Sequence, residues 1–251
     1  MFNSFKLAFS MYSRIPMPRA DWDKDKMKYV MAFFPLIGVA VGGGMILWNL
    51  LVQRTGINGL MSAAGRVLIP LLLTGGIHMD GFLDTIDARR SYQSFERKLE
   101  ILKDPHTGAF AIIYGGIYLV AMLGLYSQVS SGYLWIVAIG FVLSRALSGM
   151  SVVAFKGAKD TGMAADFRLS AEKRRVFIAL VVYAVLASAA MIIMSPLAGG
   201  LAVVGAFSVF GYYRVMSYRE FGGVTGDLAG YFLQLCELAI AVAAAAATVI
   251  R

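Results

Sequence analysis

The sequence predicts an all-α fold, a polytopic membrane helix bundle of about seven transmembrane helices with short interfacial helices beside them. Three observations carry this. Of 251 residues, 59% are hydrophobic and only 15% charged, and the mean hydropathy is +0.69; a soluble domain carries about 25% charged residues. Apolar runs long enough to cross a hydrocarbon core recur seven times along the chain. Lys and Arg gather in alternate connections between those runs. The formal charge of +8 has its source in those connections, so no nucleic-acid partner follows from it. The single cysteine, Cys236, excludes an intramolecular disulfide and reads as a packing residue in an apolar run.

The elements follow in order. Phe2, Phe5, Phe9 and Tyr12 recur at helical spacing and predict a short interfacial helix stopped by Pro16 and Pro18. Lys6 and Arg14 break the apolar character of this start, so no cleavable signal peptide is expected. Asp21 to Lys28 forms an aqueous flank. The first span runs from Tyr29 to Val52 and carries Gly38, Gly42, Gly43 and Gly44 as a small-residue packing face. The second runs from about Leu60 to Ile77. A polar stretch from His78 to Thr107 follows, in which Phe95, Leu99 and Leu102 share one face of a short amphipathic helix ended by Asp104-Pro105. Further spans are expected at about Gly108–Tyr126, Tyr133–Phe155, Val176–Met194, Leu201–Tyr213 and Leu228–Ile250. The whole chain, 1–251, reads as one integral membrane domain, with an N-terminal interfacial segment at 1–28 and a catalytic loop at 78–107.

Positive charge sets the expected orientation. The N-terminus and the loops His78–Thr107, Lys156–Arg175 and Arg214–Asp227 hold almost all Lys and Arg. The connections at Ser127–Gly132 and Ser195–Gly200 hold none. The positive-inside rule then puts the N-terminus and all three loops in the cytoplasm.

The chemistry falls on those loops. Asp80, Asp84 and Asp87 are spaced by four and three, which keeps them within roughly 60° of arc on one helix face. Such carboxylates repel one another unless a divalent cation sits between them, and oxygen-only ligands suit Mg²⁺, Mn²⁺ or Ca²⁺. A solvated acidic helix end is the plain alternative. In KDPHTGAF, Lys103 and His106 can donate to phosphate, Asp104 can bind metal or accept a proton, and Thr107-Gly108 opens a helix whose free amides can meet an anion. The plain alternative there is an Asp-Pro turn with a helix cap. In GGVTGD, Gly222 and Gly223 allow close backbone approach, Thr225 can cap or bind, and Asp227 adds a carboxylate. Arg89, at the end of the acidic run, completes the expected substrate contacts. Asp84, Asp104 and Asp227 are the expected catalytic carboxylates. His78 points away from the acidic face and reads as a structural hydrogen-bonder, and Arg145 with Glu237 as a helix–helix pair. Together these parts point to phosphoryl-group transfer at a membrane surface.

GGIHMDGFLDTIDA (Gly75–Ala88), LEILKDPHTGAF (Leu99–Phe110) and GGVTGDLAGYFLQLCE (Gly222–Glu237) resemble the cobalamin synthase, or adenosylcobinamide-GDP ribazoletransferase, family. SRIPMP (Ser13–Pro18), FPLIG (Phe34–Gly38) and SRA (Ser144–Ala146) add to the likeness, which keeps the family's order over nearly the whole chain. The resemblance implies transfer from adenosylcobinamide-GDP to α-ribazole or its 5′-phosphate, release of GMP, a need for Mg²⁺, and residence in a bacterial or archaeal cytoplasmic membrane. It leaves a homo-oligomer open. The chain departs from the family at Ala88, and at Pro105-His106 and Ala111, where the family usually has Ser-Arg and Gly; Lys103 or His106 would then take the arginine's part. Two rival classes remain at this stage. One is a CDP-alcohol phosphotransferase-like or prenyltransferase-like lipid enzyme; the other is a cation transporter.

Overall fold

The computed structural model describes residues 1–18, 27–158, 165, 167–168 and 172–250. Most of the Asp21–Lys28 flank and half of the Lys156–Arg175 loop lie outside the described residues. Among those described, ten helices follow one another: α1 (Phe2–Tyr12), α2 (Val30–Thr55), α3 (Gly59–Thr74), α4 (Ile77–Arg90), α5 (Phe95–Ile101), α6 (Ala109–Gln128), α7 (Leu134–Ala154), α8 (Lys173–Met194), α9 (Pro196–Phe221) and α10 (Gly226–Ile250). The fold is the all-helical membrane bundle expected. Six of these helices are long and apolar enough to cross a membrane. The seventh candidate is the bent pair of the 16-residue α3 with α4, of which the apolar part is α3. α3 ends at Thr74 rather than Ile77, because Gly75 and Gly76 both take the left-handed conformation (φ 66° and 79°) and turn α4 by 94°. α4 holds 14 residues, about 21 Å, too short and too charged to cross. It lies outside the spans, as do α1 and α5.

α7 is the centre of the bundle. Its sequence is apolar on nearly every side, and such a helix belongs in the core. α2, α8 and α10 surround it. The α2 contact depends on glycine: a Cβ on Gly38 would overlap the Phe141 carbonyl, and one on Gly42 would sit 2.5 Å from the Ala138 carbonyl. Backbones at that separation admit no side chain. Gly38→Val should therefore lower stability by about 3 kcal/mol, the upper range for overpacking, and thermal unfolding in detergent would read it. An unchanged unfolding temperature would refute the close contact.

Outward faces carry the lipid-facing surface: Ile112, Ile117 and Val120 on α6, Ile178, Val185 and Ile193 on α8, and Val204 on α9 are exposed. Two buried arginines find partners inside through their terminal nitrogens, while the Nε of each has none. Arg145 pairs with Glu237 at 2.7 Å, joining α7 to α10 as expected. Arg66 donates to the Tyr126 and Val129 carbonyls (2.9 and 2.8 Å) and to Asn49 Oδ1 (3.1 Å), closing the C-terminal end of α6.

α9 is longer than the Leu201–Tyr213 span read from hydropathy. Ser195 accepts from the Ala198 amide and Pro196 occupies the first helical turn, which starts the helix early. At the other end Tyr213, Met216, Ser217 and Phe221 are buried at helical spacing, so two polar-looking turns continue as helix against the bundle. α1 and α5 form where the periodicity placed them. Leu7, Ala8 and Phe9 of α1 are buried, with α1 packed on α2.

Candidate active site

α4 presents two faces. Phe82, Ile86 and Arg89 look one way, and Asp80, Asp84 and Asp87 the other, at the spacing the sequence required. The first turn of α10 lies across α4. A Cβ on Gly81 would stand 2.8 Å from the Asp227 carbonyl oxygen and 2.9 Å from its Cα, and one on Gly230 would stand 3.0 Å from the His78 carbonyl. Glycine at both positions lets the two backbones touch, and this brings Asp227 onto the acidic face. The carboxyl of Asp84 is pushed up to about 7, first by loss of water around it and then by the charges of Asp80, Asp227 and Asp87. Three neighbouring carboxylates thus act on Asp84.

Asp87 has a partner of its own. It accepts from the amides of Gly108 (2.6 Å) and Ala111 (2.9 Å), the exposed donors at the start of α6. This bond ties the Lys103–Gly108 loop to α4. Among the described residues, no three His, Cys, Asp or Glu side chains converge into a closed ion site, whether Asp80 and Asp84 are taken with Asp87 or with Asp227. The donor chemistry still fits a hard divalent cation: the groups are all carboxylates, and their mutual repulsion raises Asp84. With Asp87 engaged by backbone amides, Asp80, Asp84 and Asp227 are the residues that would hold it. Asp87→Ala should cost about 1 kcal/mol, the usual value of a lost cap, measurable as a lower unfolding temperature. No change would show that the α6 amides find another acceptor.

Within the Lys103–Gly108 loop, Lys103, Asp104, His106 and Thr107 are exposed. Asp104 Oδ1 accepts from the His106 amide at 2.9 Å and lies 2.7 Å from His106 Nδ1. The His106 amide first, and its ring second, hold the Asp104 carboxyl below its ordinary range. Asp104 is not among the charges that raise Asp84. Gly222 closes α9 with φ 72° and leaves no room for a Cβ beside the Phe95 ring. Gly223 lies against the Lys156–Ala158 backbone, where Val224 and Gly157 form a parallel bridge. Thr225 Oγ1 accepts from the Leu228 amide at 3.2 Å, capping α10. All three motifs therefore meet at one end of the bundle, and several of their residues are engaged in holding it together.

Sequence reasoning missed several residues there. Glu220 receives the Arg89 guanidinium through both oxygens (2.8–3.2 Å) and Lys98 at 3.3 Å, and Arg89 also donates to the Tyr231 hydroxyl at 2.8 Å. These groups border a cavity of about 570 Å³ that continues between α6 and α10 past Ile117 and Leu235. On the acidic side, a cavity of about 240 Å³ has Asp80 and Asp227 in its wall, with His78, Tyr12, Phe34 and Phe167. His78 is buried and its Nε2 has no hydrogen-bond partner. The Phe2–Tyr12 stripe was the available signal for Tyr12; Glu220 had none.

Carboxylates beside a helix start, at one end of a membrane bundle, suit phosphoryl-group transfer at a membrane surface. The particular group follows from comparison: the cobalamin-5-phosphate synthase family description matches residues 4–245, and the chain belongs to that family. It is 48% identical over 236 residues to the adenosylcobinamide-GDP ribazoletransferase of Lachnoclostridium phytofermentans, covering 94% of this chain and 90% of that protein. It is 33% identical over 252 residues to the protein of that name from Treponema denticola, with 94% and 95% covered. The Clostridium perfringens strain 13 relative of the same name is 29% identical over 239 residues, with 94% of each chain covered. No solved structure matches. The family match removes the lipid-enzyme and transporter alternatives.

Proposed function

We propose that this protein transfers the adenosylcobinamide phosphate group of adenosylcobinamide-GDP to α-ribazole or α-ribazole 5′-phosphate, in the assembly of adenosylcobalamin. A ribazole hydroxyl oxygen forms a new bond to the cobinamide-linked phosphorus. The bond between that same phosphorus and the bridging oxygen breaks, and GMP leaves with the oxygen and the electron pair. The observation that carries this reading is the cluster of Asp80, Asp84 and Asp227 where the three motif segments meet.

Asp80, Asp84 and Asp227 would hold Mg²⁺, which when bound offsets the charge of the diphosphate. In the metal-free protein the Asp84 carboxyl is raised to about 7, first by burial and then by Asp80, Asp227 and Asp87; a cation shared with those groups would lower it, leaving Asp84 ionised and able to accept the proton of the attacking hydroxyl. Lys103 and His106, on the exposed loop beside the acidic face, meet the phosphates, with Thr107 and Gly108 steering that loop. Gly222, Gly223 and Thr225 shape the opposite wall. Arg89, held by Glu220, positions α4 against α9. The alternation of basic and uncharged connections supports a cytoplasmic-membrane enzyme with its N-terminus and site facing the cytoplasm.

Purified protein given adenosylcobinamide-GDP, α-ribazole and Mg²⁺ should release GMP and the joined cobalamin in equal amounts, read by mass spectrometry. GMP without the joined product would mean hydrolysis and would overturn the transfer. Cysteine labelling in a Cys236→Ser background tests orientation. Tyr218→Cys should react from the cytoplasmic side, and reaction from the outer side alone would reverse it.

A further inference from the structure

The geometry points to the 240 Å³ cavity beside Asp80 and Asp227 as the seat of the benzimidazole ring of α-ribazole, with His78 Nε2 donating to the ring's unsubstituted nitrogen. The inference rests on the proposed transfer and deepens it.

Four observations carry it. First, one wall of the cavity is a cluster of aromatic rings packed on one another. Tyr12 stands 4.6 Å from Phe34 and 6.4 Å from Phe167 between ring centroids, and the His78 ring lies 6.2 Å from Tyr12 and 5.6 Å from Phe34. Flat aromatic ligands gain from such walls through offset and edge contacts. Second, the volume is about 240 Å³, below the roughly 300–1,000 Å³ of sites that take a whole drug-sized ligand. It has room for one ring system and none for a corrin. Third, His78 is 5% exposed with Nε2 unpartnered, and an unpaired buried polar nitrogen is costly unless a ligand completes it; in the Nε2–H tautomer it is a donor. Fourth, Asp80 and Asp227 form the cavity wall, so a ribose attached to the ring leaves it at the carboxylates that serve the reaction.

The chemistry selects between the two aromatic heterocycles of the reaction. Guanine brings a carbonyl, a ring N–H, an amino group and a ring acceptor, and burying these without partners costs free energy for each. The dimethylbenzimidazole of α-ribazole brings one acceptor nitrogen and an otherwise apolar body. The rest of the wall, with Met31, Val152, Ala229 and Leu233, is apolar. One acceptor matched to one orphan donor, with methyl groups against apolar residues, is the better complement.

The test uses the full-length protein in detergent and compares α-ribazole with the riboside of 5,6-dimethylindole, which replaces the ring nitrogen by carbon. The wild type should have about a tenfold lower KM for α-ribazole, the value of one hydrogen bond. His78→Phe should lose that preference while its KM for adenosylcobinamide-GDP stays within twofold. His78→Gln, whose amide can donate from a similar position, should keep part of it. Calorimetry with 5,6-dimethylbenzimidazole alone gives a readout independent of turnover, with binding to the wild type weakened in His78→Phe. Unfolding temperatures of the variants separate a folding defect from a binding one. A preference unchanged in His78→Phe, or a rise confined to the KM for adenosylcobinamide-GDP, overturns the assignment. Failure of the wild type to form the joined product sinks the transfer itself, while dimethylbenzimidazole binding still reads the cavity.

Discussion

Asp84→Asn is expected to lower turnover by about 10³-fold, within the range for loss of a general base, while raising the unfolding temperature of the metal-free protein. The two effects share one cause. Asp84 sits where burial and the charges of Asp80, Asp227 and Asp87 oppose its ionisation, and its carboxyl is raised to about 7. Asparagine removes the charge at nearly constant shape, which ends the repulsion and also ends the capacity to hold a cation or take a proton. The pH dependence follows from the sign of the shift. A carboxyl raised in the folded state stabilises the fold fully below its unfolded value and loses that contribution as pH rises through about 7. Wild-type stability without metal should therefore fall between about pH 4 and pH 8, and the Asp84→Asn curve should be flatter across that window. Thermal unfolding with EDTA over that range, paired with GMP release with Mg²⁺, measures both. Full turnover by Asp84→Asn would remove Asp84 from the reaction, and an identical pH slope would remove the repulsion.

The second large effect concerns the buried pair on the far side of the core. Glu237→Leu should destabilise by about 3–5 kcal/mol, the cost of leaving one partner of a buried ion pair alone. The reason is asymmetric. Arg145 holds a fixed positive charge at 1% exposure, and without Glu237 it keeps only the Phe141 carbonyl and the Ser144 hydroxyl. Arg145→Met leaves a carboxyl that can take up a proton, so it should cost less. The double variant should recover much of the loss. Unfolding of the four proteins in one detergent closes the cycle. Additive single effects would mean that the pair is not coupled.

Much of the fold could be read in advance because the bilayer imposes it. Lengths of apolar run and the placement of Lys and Arg located the spans from α2 to α10, and the Phe2–Tyr12 stripe located α1. The errors have physical causes. Gly75 and Gly76 read as the tail of an apolar run, whereas their left-handed backbone turns α4 through 94°. α9 outran its hydropathy because burial of Tyr213, Met216 and Phe221 continued after the average had turned polar. In the site, the shared face of Asp80, Asp84 and Asp87 follows from helical period alone. The capping of α6 by Asp87 depends on where the 103–108 loop returns, and no local pattern encodes that. The approach of Asp227 was legible only as a motif, since the Gly81 and Gly230 contact joins residues about 150 positions apart. The Arg89–Glu220–Lys98 cluster has the same long-range character.

That long-range contact sets a timetable for synthesis. Chains emerge from the ribosome N-terminus first, at about 5–20 residues per second. α4 then waits for α10, made about 150 residues later, before Gly81 and Phe82 are covered and Asp227 joins Asp80 and Asp84. During that interval the acidic face has no fourth carboxylate and the aromatic cavity lacks the wall formed by Gly226 to Leu233. A nascent chain that has not yet made α10 thus lacks the assembled acidic face and the closed cavity, and the complete site arises only once residues 226–233 are in place.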